Sequence, residues 1–275
     1  MRAHGDASAL LDVAIDAAVA AGRATLAYFG GDLATYTKPD NSPLTLADTA
    51  AHDEICTRLL HQTDLPILSE EGTLPDFGER AKWERFWLVD PLDGTAEFID
   101  RSGEYTINIA LIRNGSPELG VVYVPTNGTL YAGGGGLGAT VIAGGAAGSS
   151  ASPRRTLPLA GQRDSLMVTT SRRHASPATR AFIERARAHF GPVHITTAGS
   201  SVKICHVAEG TADFYPRYGA TMEWDTAAGD AVLRAAGGSL VDTERRQPLV
   251  YNKRDLRNPY FIAVAPGRDL PPTLP

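Results

Sequence analysis

The sequence predicts a mixed protein, α+β in its first half and layered α/β in its second, and three observations carry that expectation. In the first half, "YTINIALIRNG", "ELGVVYVP" and "TLYAGGGG" are β-rich runs parted by Asn-Gly, Pro and Gly signals, the pattern of a meandering, largely antiparallel sheet. In the second half, strand-like and helix-like runs alternate. The chain has 275 residues, 43% of them hydrophobic, enough for one large core or two closely packed parts.

Taken in order, two helices open the chain, at about residues 7 to 30 and 44 to 62. In the second, Ala51, Ile55 and Leu59 recur every four residues, as one packed face requires. Asp12 and Asp16 interrupt the first apolar stretch at helical spacing, so it reads as an amphipathic helix rather than a signal peptide. The short strand "PILSEEG" precedes "FWLVDPLDGTAEFI", a buried strand over Phe86 to Val89 followed by a turn and a short helix from near Thr95. After the meander, Thr140 to about Arg163 is rich in Gly, Ala, Ser, Pro and Arg with little periodicity, which suggests an exposed hairpin and a linker. That linker divides an N-terminal α+β part, residues 1–150, from a C-terminal α/β part, residues 151–275. The second part runs through "SLMVTTSR", a helix near 177 to 190, "HITTAG", a helix through "VKICHVAEG", "ADFYPR", a helix from Asp225, "GSLVD" and "YFIAVA".

A net charge of −5 and a pI near 5.8 argue against a general binder of nucleic-acid polymers, which needs a basic face. No segment reaches the roughly 20 uninterrupted apolar residues of a membrane span, so a soluble, cytoplasmic protein is expected. Cys56 and Cys205 lie far apart in helix-like segments without metal-ligand spacing, and read as buried free thiols.

The chemistry concentrates in acids at the ends of core elements. Asp90 and Asp93 leave an apolar strand in a turn where Pro91 fixes φ and Gly94 permits a tight backbone. Converging carboxylates repel unless a cation neutralises them, and two carboxylates with the Leu92 carbonyl suit a hard ion such as Mg²⁺. The amides of Gly94 and Thr95, at the start of the next helix, attract an anion. Turn formation by the aspartates and simple capping by Thr95 explain the same residues without chemistry. "LSEEG" adds Glu70 and Glu71 at another strand end, and "MEWDTAAGDA" adds Asp225, for which helix capping is the plain alternative. Three separated acidic sites favour a shared metal cluster. No P-loop, dinucleotide fingerprint or Ser or Cys nucleophile motif appears at a suitable strand-to-helix junction.

In their order and separation, "SEE", "WLVDPLDGT" and "WDTAAG" resemble the signatures of the inositol monophosphatase-like, magnesium-dependent, lithium-sensitive phosphatases. "KPDNSPLTLAD", "SRRH" and "GSSVKICHVAEGTADFYPRYGATMEWDTAAGDAVLRAAGG" bring the chain nearer to the CysQ-type 3′(2′),5′-bisphosphate nucleotidases of that superfamily. The resemblance spans nearly the whole chain and implies a layered α-β-α-β-α sandwich. It also implies that Glu70, Asp90, Asp93, Asp225 and the Leu92 carbonyl bind two or three Mg²⁺ ions, with Glu71 in support or at a third ion. Asp48 and Thr95 would orient and deprotonate the attacking water; from the sequence alone Asp48 is a solvated helix acid. Ser171, His174, Ser200, Ser201, Lys203 and Arg217 would line a nucleotide pocket, although surface charge and helix capping are the plain readings of Lys203 and of the two serines. The implied reaction is hydrolysis of the 3′-phosphate of adenosine 3′,5′-bisphosphate, with the sulfated analogue PAPS as a further substrate and a homodimer as the common state of relatives. Inositol monophosphate, histidinol phosphate and sugar bisphosphates are the alternative substrates, and a non-catalytic metal- or phosphate-binding protein is the alternative of another class. "SRRH" carries a second Arg, and His206 stands where an apolar residue is usual; both bear on ligand preference.

Overall fold

The computed structural model describes residues 6–30, 35–37, 43–144, 153–159, 165–172 and 176–274. Two helices, α1 (Ala7–Tyr28) and α2 (Leu46–Gln62), flank a small antiparallel pair, β1 (Thr35–Thr37) and β2 (Pro43–Thr45). The chain then enters β3 (Ile67–Ser69), α3 (Phe77–Arg80), β4 (Arg85–Asp93), α4 (Thr95–Ile99), β5 (Thr106–Arg113), β6 (Ser116–Val124), β7 (Thr129–Gly134), β8 (Gly138–Ile142) and β9 (Arg154–Thr156). These seven strands form one sheet in sequence order, parallel between β3 and β4 and antiparallel elsewhere. Next come β10 (Leu166–Ser171), α5 (Pro177–Phe190), β11 (Val193–Ala198), α6 (Val202–Glu209), β12 (Phe214–Arg217), α7 (Glu223–Ala235), β13 (Ser239–Asp242) and β14 (Phe261–Val264). The second sheet has the order β11-β10-β12-β14-β13.

Side-chain alternation stacks these elements into five layers. Trp87, Val89, Ile107, Ile109, Leu119 and Val121 pack on one face of the large sheet with α1 and α2. Phe86, Leu88, Ala110, Ile112 and Val122 face the other way, onto α6 and α7. The far side of those two helices meets Tyr215, Phe261 and Ala263 of the second sheet. Its outer face, with Val168, Phe214, Ile262 and Val264, is covered by Phe182, Ile183 and Ala186 of α5. The result is the expected α-β-α-β-α sandwich. Strand β4 is buried on both faces, which is why "FWLV" is an unbroken apolar run rather than an alternating one. Two glycines allow helices to approach β6 from opposite sides: a Cβ on Gly22 of α1 would lie 2.3 Å from the Tyr123 ring, and one on Gly120 would lie 2.5 Å from the Ala228 carbonyl of α7.

Four local expectations change. The strand expected over Phe86 to Val89 runs on to Asp93, so the two aspartates lie in an irregular strand and not in a turn. The helix expected from Asp225 starts at Glu223. Part of the expected hairpin and linker is strand: β8 and β9 pair antiparallel and extend the large sheet. All three residues of β9 are exposed, so no burial alternation marks it in the sequence. Both cysteines are free thiols, but only Cys205 is buried; Cys56 is half-buried, and burial with the nearby Asp53 pushes its pKa up to about 11.

Candidate active site

The register of β4 against β5 brings Asp90 and Asp93 together. Asp90 lies opposite Asn108 and Asp93 opposite Thr106, so three steps on β4 match two on β5. In a regular strand residues three apart face opposite sides; the extra residue of this bulge returns Asp93 to the side of Asp90. Pro91, which has no N–H to give a ladder, falls inside the interruption. The backbone N–H of Leu92 donates to Asp90 Oδ1 at 3.1 Å. Glu70 follows the end of β3 and its N–H donates to the Val89 carbonyl, holding it beside β4. Asp225 arrives from the first turn of α7.

One carboxylate oxygen from each of Glu70, Asp90 and Asp225 lies within 4.8 Å of the other two. Burial, then Glu70, Asp93 and Asp225, push the Asp90 carboxyl well above its ordinary range. Burial and the charges of Asp93 and Glu70 do the same to Asp225. Hard oxygen donors gathered this closely are a set that a hard divalent cation satisfies, so the residues fit a metal ion. Asp93 stands beside this trio: its Oδ2 accepts the Ser201 N–H at 2.5 Å and the Thr106 hydroxyl at 3.4 Å.

Capping and site-building coexist on the same carboxylates. Asp225 Oδ2 accepts the Met222 N–H at 2.9 Å at the start of α7 while the residue joins the acidic trio. Asp48 Oδ2 accepts the N–H and hydroxyl of Thr45, at 2.8 and 2.6 Å, in a capping box for α2. Its other oxygen, Oδ1, accepts the Thr95 hydroxyl at 3.3 Å. Asp48 is buried, not the solvated acid that its helix suggests. Gly94, at φ 95°, opens α4 in the left-handed region that glycine tolerates.

A cavity of about 190 Å³ adjoins the carboxylates, lined by Asp93, Gly94, Asp225, Ser171, Lys203 and Arg217 among others. Ser200 and Ser201 also line it, and neither caps α6 in the plain way: the Ser201 hydroxyl donates to Asn108 Oδ1 at 2.7 Å instead, and the Ser200 hydroxyl is buried without a partner. Ser200 has φ 36°, a strained value for a residue with a side chain. Lys203 is not a surface charge. It is 3% exposed, its ammonium lies 5.4 Å from the Tyr215 ring centroid and donates to the Ala198 and Ser200 carbonyls, and burial lowers its pKa to about 8. Arg217 donates to the Ala220 carbonyl at 3.1 Å, but its Nε is buried and meets no acceptor.

Comparison with known proteins resolves the ancestry of this arrangement. The profile described as the inositol monophosphatase family matches residues 6–270. The chain belongs to the inositol monophosphatase family. A relative described as 3′(2′),5′-bisphosphate nucleotidase CysQ, from Escherichia coli strain K12, is 42% identical over 92% of this chain and 98% of its own. Among solved structures, CysQ from Bacteroides thetaiotaomicron is 43% identical, with a TM-score of 0.86 over 95% of this chain and 98% of its own. An inositol monophosphatase from Anabaena is 26% identical, with a TM-score of 0.70 over 94% of this chain and 91% of its own.

Within this family member the structure unites Asp48 with Thr95, the three carboxylates with one another, and Asp93, Gly94, Ser171, Ser200, Ser201, Lys203 and Arg217 around one cavity. Glu71 is outside the trio, and His174 lies outside the described residues. Residues missed in the sequence include Glu97, Tyr215, Thr221 and Phe261 in the cavity wall, and Thr106 and Asn108 behind it. A signal existed for the last two: they are polar residues at alternate positions of the otherwise apolar, buried "TINIALI". No helix among the described residues is long and apolar enough to cross a membrane.

Proposed function

We propose that this chain is a Mg²⁺-dependent 3′(2′),5′-bisphosphate nucleotidase, which removes the 3′-phosphate of adenosine 3′,5′-bisphosphate to leave AMP and phosphate, and which also accepts PAPS. One observation carries the proposal: the acidic trio reaches, through Asp225, a pocket that also holds Asp93, a buried lysine and an incompletely satisfied arginine. The carboxylates suit a metal ion and the phosphate to be cleaved, and the two cations a second anionic group. The named activity of the 42% identical relative supports the same substrate.

Glu70, Asp90, Asp93, Asp225 and the Leu92 carbonyl would hold two or three Mg²⁺ ions. When bound, these ions stabilise the charge of the transferring phosphoryl group and lower the pKa of water. Thr95 accepts a hydrogen bond from the attacking water at Oγ1 and donates its own to Asp48 Oδ1, so the water's proton passes to the Thr95 oxygen as the threonine proton moves to Asp48. The Gly94 and Thr95 amides hold phosphate oxygens. Arg217 Nε donates to the phosphate that is kept, a charge-assisted bond. Lys203, with two N–H bonds given to carbonyls, contributes positive charge and one remaining donor at the wall. Ser171, Ser200 and Ser201 contact the nucleotide. Most metal ligands then come from the 1–150 part, and the nucleotide pocket with Asp225 from the 151–275 part. In the cell a cytoplasmic homodimer would clear the by-product of sulfotransfer.

The test is phosphate release, with Mg²⁺ and then with EDTA, from adenosine 3′,5′-bisphosphate, inositol 1-phosphate, histidinol phosphate and fructose 1,6-bisphosphate side by side. A Mg²⁺-dependent preference for the nucleotide, with AMP as product, is expected. Preference for another phosphate ester would overturn the pocket assignment and keep the metal chemistry.

A further inference from the structure

Behind the pocket wall runs a buried hydrogen-bond relay that joins the large sheet to the start of α6. Ser201 Oγ donates to Asn108 Oδ1 at 2.7 Å, which commits its single proton. The hydroxyl of Thr106, 2.8 Å from Ser201 Oγ, is therefore the donor in that pair, with a weaker branch toward Asp93 Oδ2 at 3.4 Å. The Ser201 backbone N–H in turn donates to Asp93 Oδ2 at 2.5 Å. Thr106, Asn108 and Ser201 are all at most 4% exposed, so water competes little for these groups. The geometry sets one oxygen of Asp93: it is gripped by a backbone amide from the C-terminal half, and that amide is located by two side chains of β5.

We propose that Thr106 and Asn108 are positioning residues for Asp93, acting through Ser201, and that without them the carboxylate loses the orientation in which it serves the metal site. This rests on the assignment of Asp93 to the metal site made above. Neither residue is one of the carboxylate trio. Their placement follows from the bulge: the register that sets Asp90 opposite Asn108 and Asp93 opposite Thr106 puts the polar pair of β5 on the face of the acids they serve. Burying hydrogen-bonding side chains in an otherwise apolar strand and helix start costs stability unless they are satisfied; the relay satisfies the two hydroxyls, while Asn108 Nδ2 is buried without a partner. Partners one step behind a metal ligand typically change metal affinity by about 10- to 100-fold when removed.

The test is Mg²⁺ binding by titration calorimetry, with the metal alone as probe, beside thermal melting in EDTA. Thr106→Val, which keeps shape and loses the hydroxyl, is expected to weaken Mg²⁺ binding on the order of 10-fold, while Thr106→Ser restores it. Wild-type Mg²⁺ affinity in Thr106→Val, alongside weakened binding in Asp93→Asn, would overturn the positioning role. Unchanged binding in Asp93→Asn would instead overturn the metal assignment on which it rests. If Thr106→Val melts early in EDTA, Ser201→Ala, which keeps the backbone N–H and removes only the hydroxyl, decides: weakened Mg²⁺ binding supports the relay and wild-type binding refutes it.

Discussion

Two buried acidic regions meet at helix α7, and the chain answers them differently. Five residues beyond Asp225, Asp230 is wholly buried, yet Arg234 and the Tyr251 hydroxyl each reach it at 2.8 Å. Glu223, at the start of the same helix, is met by the Lys253 ammonium at 2.5 Å and by the Asn252 and Lys253 amides. At Asp90 every neighbouring charge that shifts the carboxyl is another acid. The guanidinium groups differ in parallel: Arg234 gives bonds to Asp230, Ser116 and the Leu249 carbonyl, whereas Arg217 keeps a buried Nε without an acceptor. The difference separates scaffold from site. A buried charge that the chain itself compensates holds elements together, and one that it leaves uncompensated is set out for a ligand.

The largest effect should come from breaking the uncompensated side. Asp90→Asn is expected to lower turnover on the order of 10³-fold, because it removes a carboxylate of the proposed metal site at nearly constant shape. In EDTA the same variant should melt no lower than wild type, since a repelled charge has gone; early melting would make Asp90 a scaffold residue. Asp230→Asn should do the reverse. It strands a largely buried guanidinium and costs about 3 kcal/mol in urea unfolding, with KM unchanged. Arg217→Ala should raise KM for adenosine 3′,5′-bisphosphate about tenfold, and much less for a monophosphate, as loss of one charge-assisted bond predicts. Equal effects on both substrates would remove Arg217 from the pocket. The smallest effect is a pH slope. The folded-state pKa values of Asp90 and Asp225 lie above the unfolded carboxylate value, so folding takes up protons between the two. Their contribution to stability is complete below the unfolded pKa and is lost as pH rises through the folded one. Metal-free protein should thus lose about 1.4 kcal/mol per pH unit for each proton taken up, and saturating Mg²⁺ should flatten the slope.

Much of this was legible in the chain. The meander, the alternation of the second half, the start of α5 and the three acidic motifs follow from local pattern alone. The bulge between Asp90 and Asp93 was not, because it is defined by the partner strand: only the pairing with Asn108 and Thr106 shows the extra residue. The same holds for β9, three exposed residues that exist as a strand only beside β8. Lys203 looked like a surface charge because lysine usually is one, yet Ile204, Cys205 and Val207 around it already marked a helix with little solvent-facing surface. For Asp225 the sequence posed a choice between cap and site, and for Asp48 between a solvated helix acid and a catalytic one; in the structure both residues cap a helix beside the candidate site. Each carboxylate caps its helix and also meets a group of the candidate site, Asp48 the Thr95 hydroxyl and Asp225 the acidic trio.

That double use governs how this chain would decay if its chemistry were no longer needed. Asp48 and Asp225 would persist under drift, since the helices they begin still require their starts. Asp90 secures no helix and, without a cation, sits buried among acids that repel it. It would be the first to be replaced by a neutral residue, with a gain in stability. An inactive descendant would therefore be recognised by the loss of Asp90 from an otherwise intact "WLVDPLDGT", and not by any change at the two capping aspartates.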